Sequence, residues 1–228
     1  MGKNDNGNNG RTELVFVVDR SGSMGGLESD TIGGFNSMLS KQRTIAGECR
    51  VTTLLFDHRI KTLHNHLDIR EVNDLTSRDY WVRGSTALLD AIGLAIDRMI
   101  VTQRHTAAAY RAQHVLFVII TDGYENASRR YSLHQIKQMI TYERERYHWE
   151  FVFLGANIDA EQTAGDFGVS PRCATDFHAD GQGIKASFEA VACAATAVRG
   201  GADLEDLNAP DFLGGVRDDY RSRRRMKR

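Results

Sequence analysis

Continuous apolar runs alternate along this chain with segments whose apolar residues recur every three or four positions. A run that is apolar at nearly every position and rich in β-branched residues is typical of a strand covered on both faces, as in a parallel sheet. Such runs predict buried strands at residues 12–19, 50–57, 114–123 and 149–157. Weaker patterns predict an edge strand at 59–67 and a last strand at 172–179.

The intervening segments have the periodicity of amphipathic helices. In the first of them, Ile32, Phe35, Met38 and Leu39 fall near a 3.6-residue period. The same kind of pattern predicts helices at residues 31–46, 86–105, 132–147, 159–168 and 183–199. Strands that alternate with helices imply βαβ crossovers. We therefore predict an α/β fold, with a doubly wound, mostly parallel central sheet and helices on both faces.

The pattern also divides the chain into three parts. Residues 1–11 are polar and rich in Asn and Gly, which predicts a disordered lead, and residues 12–199 hold the predicted elements of one domain. Residues 200–228 lose periodicity and form a C-terminal extension with a basic tail. Positions 217–228 hold seven Lys or Arg against two Asp, which is typical of a solvated arm. Such a run can also bind an acidic protein patch or nucleic acid.

Composition narrows the function classes. The 228 residues are 41% hydrophobic and 26% charged with a net charge of -1, which is ordinary for a globular protein and gives no overall bias toward nucleic acid or a membrane. No apolar run approaches the ~18 residues of a membrane span. The polar N-terminus does not resemble a secretory signal. The three cysteines, Cys49, Cys173 and Cys193, are odd in number without a CxxC pair, which favours a cytoplasmic location.

Oxygen-bearing side chains follow two of the predicted strands and precede one helix. Asp19 ends the first strand and is followed at alternate positions by Ser21 and Ser23, Asp122 ends the strand "VLFVIITD", and Thr86 begins a helix. Ligands of open α/β sheets bind outside the carboxyl ends of the strands, so these side chains are expected to converge. All five are hard oxygen donors, which favours Mg²⁺ or Mn²⁺, with Ca²⁺ behind them, over zinc.

Electrostatics favours the same interpretation. Two carboxylates ~4 Å apart repel by ~1 kcal/mol in water and by ~4 kcal/mol at an effective dielectric near 20, and a dication between them reverses the sign. If only one of the two carboxylates binds directly, it and the three neutral hydroxyls leave such an ion under-neutralised. A partner's Asp or Glu can then complete its coordination, so that the ion joins two proteins.

The segments "DRSGS", "GSTALLD" and "TDG" resemble, in order and context, the metal-ion-dependent adhesion site (MIDAS) of von Willebrand factor A (VWA) domains. The resemblance covers about residues 12–199. It implies that Asp19, Ser21, Ser23, Thr86 and Asp122 occupy the five ligand positions, Asp19, Thr86 and Asp122 coordinating directly or through water. It also implies a Rossmann-like sheet with one antiparallel edge strand near residues 59–67. Without a signal or paired cysteines, the chain resembles the intracellular prokaryotic members of the family.

These observations favour a metal-dependent protein-interaction module over an enzyme, with two alternatives. A metal-assisted phosphoester hydrolase would need a general base or a second metal, for which Glu28 and Asp30 lie near enough in sequence. Ser23 lacks the G-x-S-x-G context of a hydrolase nucleophile. A nucleic-acid binder would use the basic tail, residues 217–228.

A few other residues have patterns of their own. His64 and His66 are expected to share one face of the edge strand, as exposed side chains or as metal ligands. Residues 124–126 follow Asp122 and are expected on the metal-bearing surface. Of Tyr80 and Trp81, at least one is expected in the core, and the alternative is that the stretch with Arg83 lines the recognition face.

Overall fold

Six strands form one sheet in the computed structural model, which describes residues 10–206 and 208–226. In chain order they are β1 (Thr12–Asp19), β2 (Cys49–Phe56), β3 (Ile60–Asp68), β4 (His114–Thr121), β5 (Glu150–Gly155) and β6 (Ala174–Asp176). Their spatial order is β3-β2-β1-β4-β5-β6. Every neighbouring pair is parallel except β2 and β3. The predicted doubly wound sheet with an antiparallel edge strand is confirmed.

Helices cover both faces of the sheet. They are α1 (Glu28–Arg43), α2 (Leu88–His105), α3 (Leu133–Tyr147), α4 (Ala160–Phe167), α5 (Gly181–Arg199) and α6 (Gly214–Met226). Helix α1 packs against α5, and α3 packs against both α2 and α4. All eight residues of β1 are buried, as its apolar run predicts for a strand between two helical layers. None of the described helices is long and apolar enough to cross a membrane.

Aromatic side chains fill the core on each side of the sheet. On one face Phe35 of α1 packs edge-on against Phe16 of β1, 5.2 Å between ring centres, and against Phe188 of α5. On the other face Phe117 of β4 stacks on Phe151 of β5, 4.8 Å between ring centres. Phe16 is paired with Val118 of β4 and shares its face of the sheet. Successive residues of a strand point to opposite faces, so Phe117 points into the other core layer.

The predicted boundaries differ from the observed ones where polar residues begin or end an element. Helix α1 starts at Glu28 rather than at residue 31, since its first turn holds Glu28 and Asp30, which suit a helix N-terminus without an apolar pattern. Strand β6 has only three residues, because Pro171–Cys173 forms a 3-10 turn before it.

The sequence of the C-terminal extension lacks a clear helical periodicity, but the structure shows that it contains α6. Leu213 and Val216 are buried, and the Arg217 guanidinium donates to Asp211 Oδ1 at 2.7 Å and to the carbonyl of Ala174 at 3.1 Å. The helix therefore docks on the edge of the sheet formed by β6. The predicted disordered lead, residues 1–11, lies outside the described residues except for Gly10 and Arg11, and the three-part domain division stays a prediction.

The two histidines of the edge strand do not share an exposed face. His64 is buried and lies 3.1 Å from Thr53 Oγ1, whereas His66 has a positive φ of 55° at an irregularity in the β2–β3 pairing. A bulge adds one residue to a strand and breaks its alternation. The prediction that His64 and His66 share one face assumed regular alternation along the strand, and it is wrong at this irregularity.

Candidate metal centre

The carboxyl ends of β1 and β4 lie side by side and are joined through Asp19. The carboxylate of Asp19 accepts hydrogen bonds from the Thr121 hydroxyl and from the backbone N–H of Ser21, both at 2.6 Å. The Tyr80 hydroxyl donates to the Asp19 carbonyl at 2.6 Å. Tyr80 is thus the core aromatic of its pair, whereas Trp81 is 43% exposed. These contacts hold the Asp19 side chain rigidly at the edge of the sheet.

The three hydroxyl residues gather around the same point. The hydroxyl oxygens of Ser21 and Ser23 are 2.9 Å apart. A β-carbon at Gly123 would lie only 3.1 Å from Ser23 Oγ and 3.3 Å from Thr86 Oγ1, so both hydroxyls reach the backbone next to Asp122. The N–H of Gly22 donates to the Gly84 carbonyl at 3.0 Å and ties the serine loop to the loop before Thr86. The structure therefore brings together all five residues that the sequence singles out.

Asp122 is the least satisfied of these side chains. It is only 2% exposed, and neither carboxylate oxygen accepts a well-formed hydrogen bond among the described residues, although the nearby Ser23 hydroxyl interacts with it. Burial raises its pKa. Burial also raises the pKa of Asp19 to about 6, a shift to which the nearby charge of Asp122 adds. Buried polar groups are almost always paired, so a cation is one group that would satisfy these oxygens beside a second carboxylate.

The donor set fits a hard divalent cation. It consists of two carboxylates and three hydroxyls, and Ser23 is the exposed member. The described part of the chain contains no group of three or more His, Cys, Asp or Glu that could hold a metal. The site is thus rich in neutral oxygens and lacks the nitrogen and sulfur ligands that zinc prefers.

Comparisons with known proteins agree with this architecture. No protein-family model matches the sequence, and no curated protein matches it. Among solved structures, proximal thread matrix protein 1 from the mussel byssus, with a zinc-occupied MIDAS motif, gives a TM-score of 0.58 at 15% identity over 82% of this chain. The manganese-loaded TRAP protein of Plasmodium vivax gives 0.52 at 15% identity, covering 78% of this chain and 72% of its own. This chain has the von Willebrand factor A fold.

The minor pilin PilB of Streptococcus sanguinis gives a TM-score of 0.58 at 13% identity, covering 88% of this chain and 64% of its own. At these identities the likeness concerns the fold alone. This chain spans 46% of the mussel protein, about half its length.

Glu125 and Asn126, which follow Asp122 in the chain, hold the backbone around the site through hydrogen bonds. Asn126 Oδ1 accepts the N–H of Thr86 at 2.8 Å, and the Thr86 carbonyl accepts the N–H of Asn126 at 3.0 Å. Glu125 accepts the backbone N–H groups of Leu89 and Ser128 at 2.9 and 2.7 Å. The predicted surface position of residues 124–126 holds for Tyr124 and Asn126, which are exposed, whereas Glu125 is half-buried. The missed signal is the start of α2, whose N–H groups need acceptors.

Glu28 and Asp30, the candidate general bases of a hydrolase, make other contacts in the structure. Glu28 Oε2 accepts the N–H of Gly26 at 2.7 Å, and Asp30 lies against Gly181 at the start of α5. Within residues 10–206 and 208–226, the Ser23 hydroxyl contacts Ser21 and makes no hydrogen bond to a histidine.

The basic tail is partly committed to the fold. Arg217 binds Asp211, and Arg223 forms ion pairs of 2.5 Å with both Asp180 and Asp219. Arg221, Arg224 and Arg225 are exposed, and the last two residues of the chain lie outside the description. Two of the seven basic residues of the predicted tail therefore stabilise α6 rather than face a nucleic acid.

Proposed function

We propose that this chain is a metal-dependent protein-interaction module. Asp19, Ser21, Ser23, Thr86 and Asp122 would hold one divalent cation, with Mg²⁺ the proposed ion and Mn²⁺ a substitute. An Asp or Glu of a partner protein would complete the coordination. The observation that carries the proposal is the buried carboxylate of Asp122, whose oxygens accept no well-formed hydrogen bond, beside the buried carboxylate of Asp19.

The chemistry of this site is that of binding. When bound, the cation supplies a Lewis-acidic position for an anionic oxygen. The chain's own residues orient it: Thr121 and the Ser21 N–H fix Asp19, and Asn126 fixes the backbone of Thr86. The zinc-occupied MIDAS of the mussel protein and the manganese-loaded TRAP structure support a divalent cation here. Three free cysteines, two of them buried, support the proposed cytoplasmic location.

Calorimetric titration of the purified chain with MgCl₂ and MnCl₂ tests the metal. We expect uptake of one ion by the native chain and none by Asp122→Ala. Asp218→Ala, which removes an exposed carboxylate on α6, should bind the metal like the native chain. Absence of uptake by the native chain, or uptake unchanged in Asp122→Ala, would contradict the proposal.

The partner carboxylate needs a second experiment. Immobilised peptides that carry a single Glu should retain the native chain in Mn²⁺ and release it in EDTA, whereas the same peptides with Gln should not retain it. Retention that EDTA leaves unchanged would mean that the ion is not the joint between the two molecules.

A further inference from the structure

A second group of charged side chains borders the metal centre. Asp57 directly follows β2, at the same edge of the sheet, and its side chain is fully buried. Arg83 Nε donates to Asp57 Oδ2 at 2.9 Å, and Arg20 Nε lies 3.1 Å from the same oxygen. The other oxygen accepts the N–H of Arg59 at 2.7 Å and lies 3.1 Å from His58 Nδ1. One carboxylate therefore serves two guanidinium groups.

The charges of this group do not cancel. Arg20 is buried and already balances Asp57, so the charge of Arg83 is in excess. The Arg83 side chain is 35% exposed, and its guanidinium carbon lies 4.3 Å from the centre of the Trp81 ring. Among the described residues, the terminal nitrogens of Arg83 have no hydrogen-bond partner. Arg83 thus presents unused donors at the surface.

The excess charge lies next to the proposed ion. Arg20 stands between Asp19 and Ser21, and its carbonyl accepts the N–H of Arg83 at 3.0 Å. Arg83 precedes Thr86 by three residues. Between them Gly84 adopts a positive φ of 69°, and a β-carbon there would lie 2.2 Å from His58 Nδ1. The close packing of the two loops fixes Arg83 and His58 beside the metal-binding loops.

We propose that Arg83 is a second anion-binding point, and that the partner presents two acidic side chains, one for the ion and one for Arg83. This inference rests on the proposed function of the metal centre. A guanidinium forms paired, charge-assisted hydrogen bonds with a carboxylate. Its Nε is anchored on Asp57 and its face on Trp81, so little conformational freedom remains to be lost on binding.

The structure favours an acidic protein segment as the occupant over a basic one. The ion and Arg83 place positive charge at two neighbouring points, and a partner's Lys or Arg would be repelled by both. A role confined to the fold does not require Arg83, because Asp57 keeps Arg20, His58 and the Arg59 N–H without it.

The test uses fluorescein-labelled, end-capped peptides with two glutamates separated by one to four glycines, and matched peptides in which the second glutamate is glutamine. Affinity for the native chain is measured by fluorescence polarisation in Mn²⁺. We expect the best two-acid peptide to bind about tenfold more tightly than its one-acid match, as for a hydrogen-bonded charge pair. Arg83→Gln should reduce this ratio to about one.

Two further variants identify the cause of any change. Arg146→Gln makes the same change of net charge at the far end of α3, on an exposed side chain, and should keep the native ratio. Arg83→Lys keeps the positive charge but lacks the planar guanidinium, and it should retain only part of the affinity ratio. Loss of the ratio in Arg146→Gln would mean that net charge, not Arg83, selects the peptide, and would overturn the inference.

The failure of this inference differs from the failure of the proposed function. One-acid peptides that bind in Mn²⁺ but not in EDTA, with a native ratio of one, would overturn the second binding point alone. So would a ratio that survives in Arg83→Gln. If no peptide binds the Mn²⁺-loaded native chain, the metal-dependent function and the second point fail together. Displacement of the two-acid peptide by inorganic phosphate at lower concentration than by glutamate would overturn the choice of a carboxylate partner.

Discussion

Glu150 begins β5 at the edge of the sheet opposite the metal centre, where its side chain is mostly buried. Burial raises the pKa of Glu150 to about 7, and the nearby charges of Asp203 and Glu205 contribute to the shift. Its Oε1 accepts the N–H of Leu204 at 3.2 Å. At neutral pH the folded chain therefore holds a carboxyl group that is harder to ionise than in the unfolded chain.

Glu150→Gln should stabilise the protein at high pH only. Between the ordinary pKa of 4.5 and the folded value of about 7, the folded chain keeps a proton that the unfolded chain has lost, so native stability falls as pH rises. Glutamine stays neutral and keeps the Leu204 acceptor. We expect equal free energies of unfolding near pH 4.5 and a gain of about 2 kcal/mol at pH 8, after a discount for partial exposure.

Urea unfolding at several pH values measures this difference. Glu145→Gln, an exposed carboxylate on α3, is the matched control and should give no pH-dependent gain. A gain for Glu150→Gln that is the same at pH 4.5 and pH 8 would show that packing, not ionisation, is responsible.

Asp122 is a second buried carboxylate whose charge should affect stability, because no cation neutralises it in the metal-free chain. Asp122→Asn should leave the metal-free chain at least as stable as the native one, since it removes a buried, unpaired charge. It should also abolish stabilisation by metal, which for an ion at about 100 times its Kd amounts to about 2.7 kcal/mol in the native chain. Thermal unfolding with EDTA or MnCl₂ gives both values, and a variant that MnCl₂ still stabilises fully would remove Asp122 from the ligand set.

The element that positions the centre is the loop between β4 and α3, folded across the start of α2. Glu125 accepts the N–H groups of Leu89, Ala127 and Ser128. Asp90 of α2 accepts those of Arg130 and Tyr131 in return, at 2.8 and 3.0 Å. Backbone N–H groups that are partly shielded from water need such partners, so the two carboxylates fix the loop that follows Asp122.

Glu125→Ala should therefore weaken metal binding although Glu125 is a positioning residue and not a proposed ligand. The change leaves three backbone N–H groups without their acceptor, and we expect a loss of about 2 kcal/mol in the free energy of unfolding. Mn²⁺ affinity should fall as well, since Thr86 and Asp122 flank this loop. Glu145→Ala is the control for both measurements. An unchanged Mn²⁺ affinity in a destabilised Glu125→Ala chain would confine Glu125 to the fold.

The elements that sequence could predict are those whose pattern is local. The apolar run of β1 and the repeating apolar face of α2 can be recognised in the sequence alone. In a parallel sheet the carboxyl ends of the strands meet at one edge, which places Asp19 and Asp122 together. The bulge at His66 and the short β6 depend on their neighbours and have no local signature. The same holds at the centre, where its proposed ligands could be predicted but the supports Glu125 and Asp57 could not, because those contacts join residues distant in the chain.

At the scale of the whole molecule, α6 connects the end of the chain to the layer that carries the serine loop. Arg223 pairs with Asp180, whose side chain caps α5 by accepting the N–H of Gly183 at 2.9 Å. Helix α5 packs along α1, which begins just after the serine loop. The Asp219–Arg223 pair at i,i+4 is the one local signal for α6 in a segment with few apolar residues.

Arg217→Ala tests whether this connection affects only stability or also the metal centre. Arg217 is mostly buried and binds Asp211 and the carbonyls of Arg172 and Ala174, so its loss removes these charge-assisted hydrogen bonds and should cost about 2 kcal/mol of unfolding free energy. Arg221→Ala, an exposed residue of the same helix, should cost less than about 0.5 kcal/mol. Because α6 lies on β6, two strands from β4, we expect Mn²⁺ affinity within about twofold of native in both variants, a change that is negligible against the ~1.4 kcal/mol of a tenfold effect. Calorimetry on the Arg217→Ala chain below its unfolding temperature decides the point: a drop in Mn²⁺ affinity there, absent in Arg221→Ala, would mean that the C-terminal helix is coupled to the centre through α5 and α1.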